Sequence, residues 1–459
     1  MSANKLHSFL TGDVLEPGSA RYEEARRVWN AGIDRRPKLI VQAHTPADIV
    51  TAIKYGRDEQ LVIAVRAGGH SAAGHGVCEG GLVIDLTRMN GVKVDLAAGR
   101  VRVGGGALLR DLDQATQAHG LAVPSGHVSH TGVGGLTLGG GTGWMMRKLG
   151  LSVDSLECVE MVTAAGQVLS VSAKEHPDLF WALRGGGGNF GVVTEFTFRP
   201  HKVGPMVLAG ALVYPLDEAA AVMRFNREFM REAPDELTIA NLFRIAPPAP
   251  PFGALAGKPA LFVVICYCGD LNAGERVVAP LRAFGKPINL LRPMPYLALQ
   301  TSIDELTAFG AHAYMTSSFM NDLDDAMIEA LIEQGRMLPT EHTVFFVHPM
   351  GGVMSRIKND DTAFAFRDAD YFGVVTALWR SGDPKLADAC ISWSRKTREV
   401  FRRSETGQWV QALDDGAPAA PGTQRSPSTW IGSNYGRLVE VKRRYDPDNV
   451  FRHNHNIAP

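Results

Sequence analysis

Glycine is crowded into one part of this 459-residue chain, between residues 68 and 191, and thins to an ordinary density beyond it. Glycine loses more backbone freedom on folding than any other residue. Such crowding therefore marks places where main chain passes close to something or adopts a positive φ. Three runs carry it. Arg66-Ala67-Gly68-Gly69-His70-Ser71 follows an apolar β-type run, LVIAV. The stretch 132–143 (GVGGLTLGGGTG) holds seven glycines in twelve residues. Gly185-Gly186-Gly187-Gly188-Asn189-Phe190-Gly191 precedes VVTEFTF.

The third run contains a formal GxGxxG at 186–191, but its neighbours come in the wrong order. A Rossmann site needs a strand before the glycines and a helix after them. Here 179–183 reads as a helix end and 192–198 as a strand, which disfavours a nicotinamide enzyme. The second run is either a flexible linker or a loop that hugs a pyrophosphate. Val133, Leu136 and Leu138 within it favour the loop. Neither Gly-Lys pair is followed by Ser or Thr, so it is no P-loop. In the first run His70 is held out on a tight turn. It could be a ligand, a base, a nucleophile or a structural histidine. Residues 69–74 miss a GxSxG elbow by one position.

The remaining sequence reads as α+β. Short strands are expected at 38–42, 61–65 and 82–86, a hairpin at 92–94 and 100–103, and helices from Pro46 and over 107–119, the latter closed by Gly120. From residue 206 the composition is normal. Strand–helix passages are expected at 206–214 with 217–233 and at 260–267 with 273–284. A strand follows at 343–347, helices at 387–403 and 438–445, and a long loop at 414–428. No clean βαβ repeat is present. The chain is too long for one ordinary core, so more than one domain is expected.

Charge and cysteine narrow the functional classes. Forty-seven basic residues against 48 acidic ones leave a formal charge of −1, which gives no field for nucleic acid or anionic lipid. The five cysteines form no CxxC pair, no metal-ligand spacing is present, and Cys266 and Cys268 are expected as buried thiols. No apolar run approaches a membrane span and no secretory h-region opens the chain. A cytoplasmic protein is expected, as monomer or homodimer.

Taken together the motifs are far more specific. Arg66 to Ser71, Pro124-Ser125-Gly126, Gly139-Gly140-Gly141-Thr142-Gly143-Trp144, residues 147–154 (RKLGLSVD) and 181–191 (WALRGGGGNFG) appear in the order found in the PCMH-type, or vanillyl-alcohol-oxidase, FAD fold. Asn434-Tyr435, Lys442, Tyr445-Asp446-Pro447 and residues 454–457 (NHNI) agree with its berberine-bridge-enzyme-like branch. The resemblance implies a two-subdomain FAD-binding domain at 1–205. It places an inserted substrate domain, an antiparallel sheet with covering helices, at 206–430, and a C-terminal segment at 431–459 that returns to the FAD domain.

It also implies an oxidase that takes hydride from a small alcohol, amine or secondary metabolite onto FAD and passes electrons to O2, giving H2O2. The same flavin could serve a dehydrogenase with another acceptor, or a binding module that has lost its chemistry. His70 matches the histidine that carries FAD covalently. Val128 stands where some members have a second, cysteine link, so one bond is expected. The cofactor residues implied are Arg66, Ala67, Gly68, Gly69, His70, Ser71 and His75; Ser125, Gly126 and Val128; Gly132, Val133, Gly135, Leu136 and Thr137; Gly139, Gly140, Gly141, Gly143 and Trp144; Gly191, Val192 and Val193; and Asn434, Tyr435, Asn454 and Asn456. The family's tyrosine base aligns with Trp409-Val410-Gln411, and indole is no base. Tyr435, His348 and Tyr371 are then the candidate catalytic residues, with Trp409 and Phe346 as a possible aromatic wall.

Overall fold

The computed structural model describes residues 6–413 and 428–459. The expected loop at 414–428 lies outside these residues save for Ser428, which opens a helical turn, Ser428–Ile431. The α+β class holds. A four-stranded sheet is ordered Asp13–Leu15, Leu39–Gln42, Leu82–Asp85, Ile63–Arg66, with the last three strands parallel. The helix Pro46–Asp58 makes the crossover, started by Thr45 and Asp48 as a capping box. A five-stranded antiparallel sheet is ordered Val92–Asp95, Arg100–Gly104, Val192–Phe198, Leu156–Val162, Val168–Ser172. Residues of all three glycine runs line one cleft.

The third sheet is nine-stranded and antiparallel, with its strands drawn from 206–407. The helices Ala219–Phe229, Leu271–Ala283, Asp325–Arg336 and Pro384–Phe401 cover one face, where Leu212, Phe243, Phe345 and Trp393 are buried. The other face turns toward the glycine-rich part of the chain. There Ala240 and Cys266 pack in one core with Trp144, and Phe319, Phe372 and Val374 in another with Met146 and Leu151. Burial of this apolar surface on both sides is what holds the sheet in place.

Two features escaped the sequence. The strands Leu237–Ile245, His312–Met320 and Tyr371–Trp379 are central, so neighbours on both faces remove the polar alternation that marks a half-exposed strand. The second glycine run is not a plain loop: residues Val133–Leu138 form a short helix inside it. Cys266 and Cys268 are buried free thiols, and burial pushes Cys268 up to about 11.

Candidate active site

Arg66 ends its strand with its guanidinium 2.6 Å from the buried Asp85 carboxylate and further bonds to the Ala25 and Arg27 carbonyls. That anchor fixes where the chain turns. At the turn two backbones cross. A Cβ on Gly68 would lie 2.3 Å from the Gly132 nitrogen, and one on Gly132 would lie 2.4 Å from that of Gly68. Gly69 has φ +67°. Gly68 and Gly132 leave no room for a side chain, and Gly69 lies in the left-handed region that favours glycine. The turn sets His70 and Ser71 on the wall of a cleft whose other walls are Gly132, Gly134 and Gly135, Gly187 to Asn189, Gly191 to Val193, and the C-terminal His453, Asn454 and His455.

His70 is half-buried. Trp29 stacks on its ring at 5.2 Å and 17°, Phe309 meets it edge-on at 5.5 Å, and its Nε2 lies 2.6 Å from His130 Nδ1. Burial, and secondarily the nearby His130, push the imidazole down to about 3. It is therefore a neutral nitrogen base across the physiological range.

The cleft has the chemistry a dinucleotide needs. No acidic side chain among the described residues lines it, whereas Arg66, His70, His75, His453 and His455 do. A Cβ at Gly135 or Gly188 would meet nothing within 4 Å, so main chain there lies open to the cavity. Arg66 Nε and Asn454 Oδ1 are buried without a partner among the described residues. Such orphans are uncommon in a finished interior and suit a polar group bound beside them.

Of the residues expected at the cofactor, Arg66, Ala67, Gly68, Gly69, His70, Ser71, His75, Gly132, Gly135, Leu136, Gly191, Val192, Val193 and Asn454 line the cleft. Others do not. A Cβ on Gly139, Gly140, Gly141 or Gly143 would strike Gln411, Phe364, Ser152 or the Ser125 carbonyl, at 1.9, 2.4, 2.1 and 1.7 Å. These glycines serve protein-to-protein packing one layer back. Ser125 and Gly126 accept hydrogen bonds from Gln300. Val133 and Thr137 are buried in the short helix, and Trp144 packs edge-on to His127 at 4.4 Å. Val128 and Asn456 do not line the cleft either. Asn434 does not line the cleft: its amide donates to the carbonyls of Asn359, Thr362 and Ala363, which ties down that turn. His453 and His455 were missed, although the alternation of His and Asn at the chain's end was a visible signal.

The catalytic candidates separate by strand face. Facing pairs put His348 beside Phe372, Phe346 beside Val374 and Phe319 beside Phe372, all on the side that meets the glycine-rich region. Tyr371 lies one residue out of phase and packs among the helices, so it is not in the site. Tyr435 opens the helix Tyr435–Tyr445, packs against the core of the five-stranded sheet and does not line the cleft. His348 is fully buried and donates from Nδ1 to the Ile239 carbonyl at 2.8 Å. A carbonyl only accepts, so the lone pair is on Nε2. Burial pushes this imidazole down to about 4, and it stacks on His127 at 5.2 Å. Trp409 bridges the two regions: its Nε1 donates to the Gly139 carbonyl at 2.8 Å, while its ring meets Phe372 edge-on.

The sequence matches the FAD binding domain family over residues 37–172 and the "berberine and berberine like" family over 425–458. It is 31% identical to an FAD-linked oxidoreductase of Dictyostelium discoideum, covering 99% of this chain and 96% of that one. It is 28% identical to (R)-6-hydroxynicotine oxidase of Paenarthrobacter nicotinovorans, covering 98% and 97%. The fold superposes on the crystal structure of 6-hydroxy-D-nicotine oxidase from Arthrobacter nicotinovorans with a TM-score of 0.87 at 27% identity, over the whole of both chains. It also superposes, at 0.85 and 22% identity over 99% of each chain, on glucooligosaccharide oxidase of Acremonium strictum, which carries a 6-S-cysteinyl, 8α-N1-histidyl FAD. Cleft, fold and relatives agree: this chain belongs to the FAD-linked oxidoreductases of the PCMH-type fold, in their berberine-bridge-enzyme-like branch.

Proposed function

We propose that the protein is an oxidase that holds FAD through a single covalent bond to His70, removes hydride from a small organic alcohol or amine, and returns the electrons to O2 as H2O2. The observation that carries this reading is a neutral imidazole set on the wall of a glycine cleft that no carboxylate among the described residues lines. The FAD unit is read as 1–205, the substrate unit as 206–430 and the returning segment as 431–459. Bound in the cleft, FAD supplies a two-electron acceptor.

The chain's own residues supply the rest. Main chain at Gly135 and Gly188 leaves room for the nucleotide, and the unpartnered Nε of Arg66 offers its phosphates a donor. Val128 offers no thiol, so His70 is the one attachment point. Phe346 and Phe372, on the sheet face that packs against the glycine-rich region, are read as the apolar side of the substrate site, which would exclude water from the reacting C–H bond. His348 is the proton acceptor: hydrogen-bonded through Nδ1 to Ile239, it presents a lone pair on Nε2. An amine that arrives neutral needs no stronger base.

Acid precipitation of the purified protein tests the linkage. The pellet stays yellow for the wild type and turns colourless for His70→Ala. A colourless wild-type pellet from a yellow native protein refutes covalent attachment. Peroxide release from a panel of cyclic amines, sugars and aromatic alcohols tests the oxidase reading, and flavin bleaching without oxygen uptake would point to a dehydrogenase.

A further inference from the structure

We infer that His130 is a positioning residue for flavin attachment. It fixes the tautomer of His70 so that the Nδ1 lone pair is free for the bond, and it takes the proton that His70 releases. This rests on the His70 linkage proposed above and assigns the partner that makes it chemically accessible.

His70 Nε2 and His130 Nδ1 lie 2.6 Å apart, and His70 makes no other hydrogen bond among the described residues. At that distance one nitrogen must carry a hydrogen and the other a lone pair. The two histidines belong to different cavities. His70 lines the glycine cleft, whereas His130 lines a polar pocket behind the Arg66–Gly69 turn, together with Arg110, Asp304 and Phe309. Nε2 is therefore engaged on the far side, and Nδ1 is the nitrogen left for the cleft. A neutral imidazole has one lone-pair nitrogen. If Nε2–H donates to His130, the lone pair stands on Nδ1.

His130 is itself held in place. Ser129 donates to Asp304 through its amide at 2.9 Å and its hydroxyl at 2.5 Å. Phe309 covers both rings, at 5.5 Å from His70 and 5.6 Å from His130. Around His130, Asp304 favours protonation, while burial and Arg110 oppose it. Burial prevails and holds the ring below the ordinary imidazole value, so it stands as a neutral acceptor beside a nitrogen that must lose a proton.

The attachment balances as follows. A bond forms between His70 Nδ1 and the 8α carbon of the flavin. One C–H bond of that methyl group and the N–H bond of His70 break. Dioxygen takes up the two electrons and two protons as H2O2. His130 receives the proton from His70 Nε2, and that proton with the one from the methyl group completes the H2O2.

The full-length chain, produced in a riboflavin-limited host, is mixed with FAD. Covalent incorporation is followed by in-gel fluorescence after acid denaturation and by intact mass, and reversible FAD binding by quenching of tryptophan fluorescence. Wild type is labelled and His70→Ala is not. His130→Ala binds FAD normally but is labelled on the order of a hundredfold more slowly. His130→Asn, whose Oδ1 accepts close to where Nδ1 did, recovers part of that rate. An unlabelled wild type overturns the linkage and this inference with it. A labelled wild type with His130→Ala labelled equally fast overturns the role of His130 alone. If His130→Ala loses reversible FAD binding, Asp304→Ala takes its place, because it releases Ser129 and lets His130 drift: slow labelling supports the role, and wild-type labelling overturns it.

Discussion

Gly135 and Gly143 lie eight residues apart in one motif and are glycine for different reasons. Gly135 opens onto the cleft, with nothing within 4 Å of a Cβ, while a Cβ on Gly143 would lie 1.7 Å from the Ser125 carbonyl. Gly135→Ala should therefore melt like the wild type and retain flavin poorly. Gly143→Ala should lose about 1–3 kcal/mol of stability, since its overpacking is against main chain that cannot rotate away. Thermal melts with a flavin absorbance ratio separate the two outcomes. Burial holds His348 down to about 4, whereas in the unfolded chain it titrates near 6.5. Between those values the unfolded state binds the extra proton, so this contribution is complete above about pH 6.5 and is lost as pH falls toward 4. Urea unfolding at pH 7 and pH 5 should show the loss. It should be smaller in His348→Gln, which keeps an N–H for the Ile239 carbonyl. Residue type and spacing in the sequence pointed to the cofactor, but they did not say which glycines face it.

At the scale of elements, strand phase decides which side chains can react. His348 and Tyr371 were both candidates in the sequence, yet pairing of 344–349 with 371–379 puts them on opposite faces. A one-residue offset is decisive because the side-chain period is two. A helix contact gives a second case. Asp113, on the helix Leu109–Gln117, is fully buried against Gln300 of the helix Tyr296–Gln300, 3.0 Å away. Burial raises its carboxyl to about 7. Here the folded state binds the extra proton, so this contribution weakens as pH climbs from about 4 to about 7, opposite in sign to His348. Asp113→Asn keeps an acceptor for Gln300 and removes the titration. Measured against wild type, it should gain unfolding free energy across that window, and an unchanged difference would refute the assignment. Neither the face of Tyr371 nor the burial of Asp113 is a local property, which is why neither was legible.

The whole molecule is joined through buried charge as well as apolar surface. Arg367, between two strands of the large sheet, reaches Asp154 of the glycine-rich region with bonds of 2.7 and 3.0 Å, and both side chains are buried. Arg367→Met leaves that carboxylate uncompensated and should cost about 3–5 kcal/mol, read as a lower urea midpoint. At the other end, Asn189 accepts from the Ile457 amide and donates to the His455 carbonyl, and Asn454 donates to Gly188. Removing residues 453–459 should abolish flavin retention while the helical signal persists, as visible absorbance and circular dichroism would show. From the sequence alone came the α+β class, the FAD-binding family, and His70 as the candidate attachment point. The class follows from local patterns of strand-forming, helix-forming and turn residues, and the cofactor and the role of His70 follow from the resemblance carried by short motifs, each contiguous in the chain. The packing glycines, the face of His348, the His70–His130 contact and the closure of the cleft by His453 were decided only on folding. Each joins residues distant in the chain, as His453 meets Val77 across 376 positions. Such contacts depend on register and on burial against partners that no local pattern encodes.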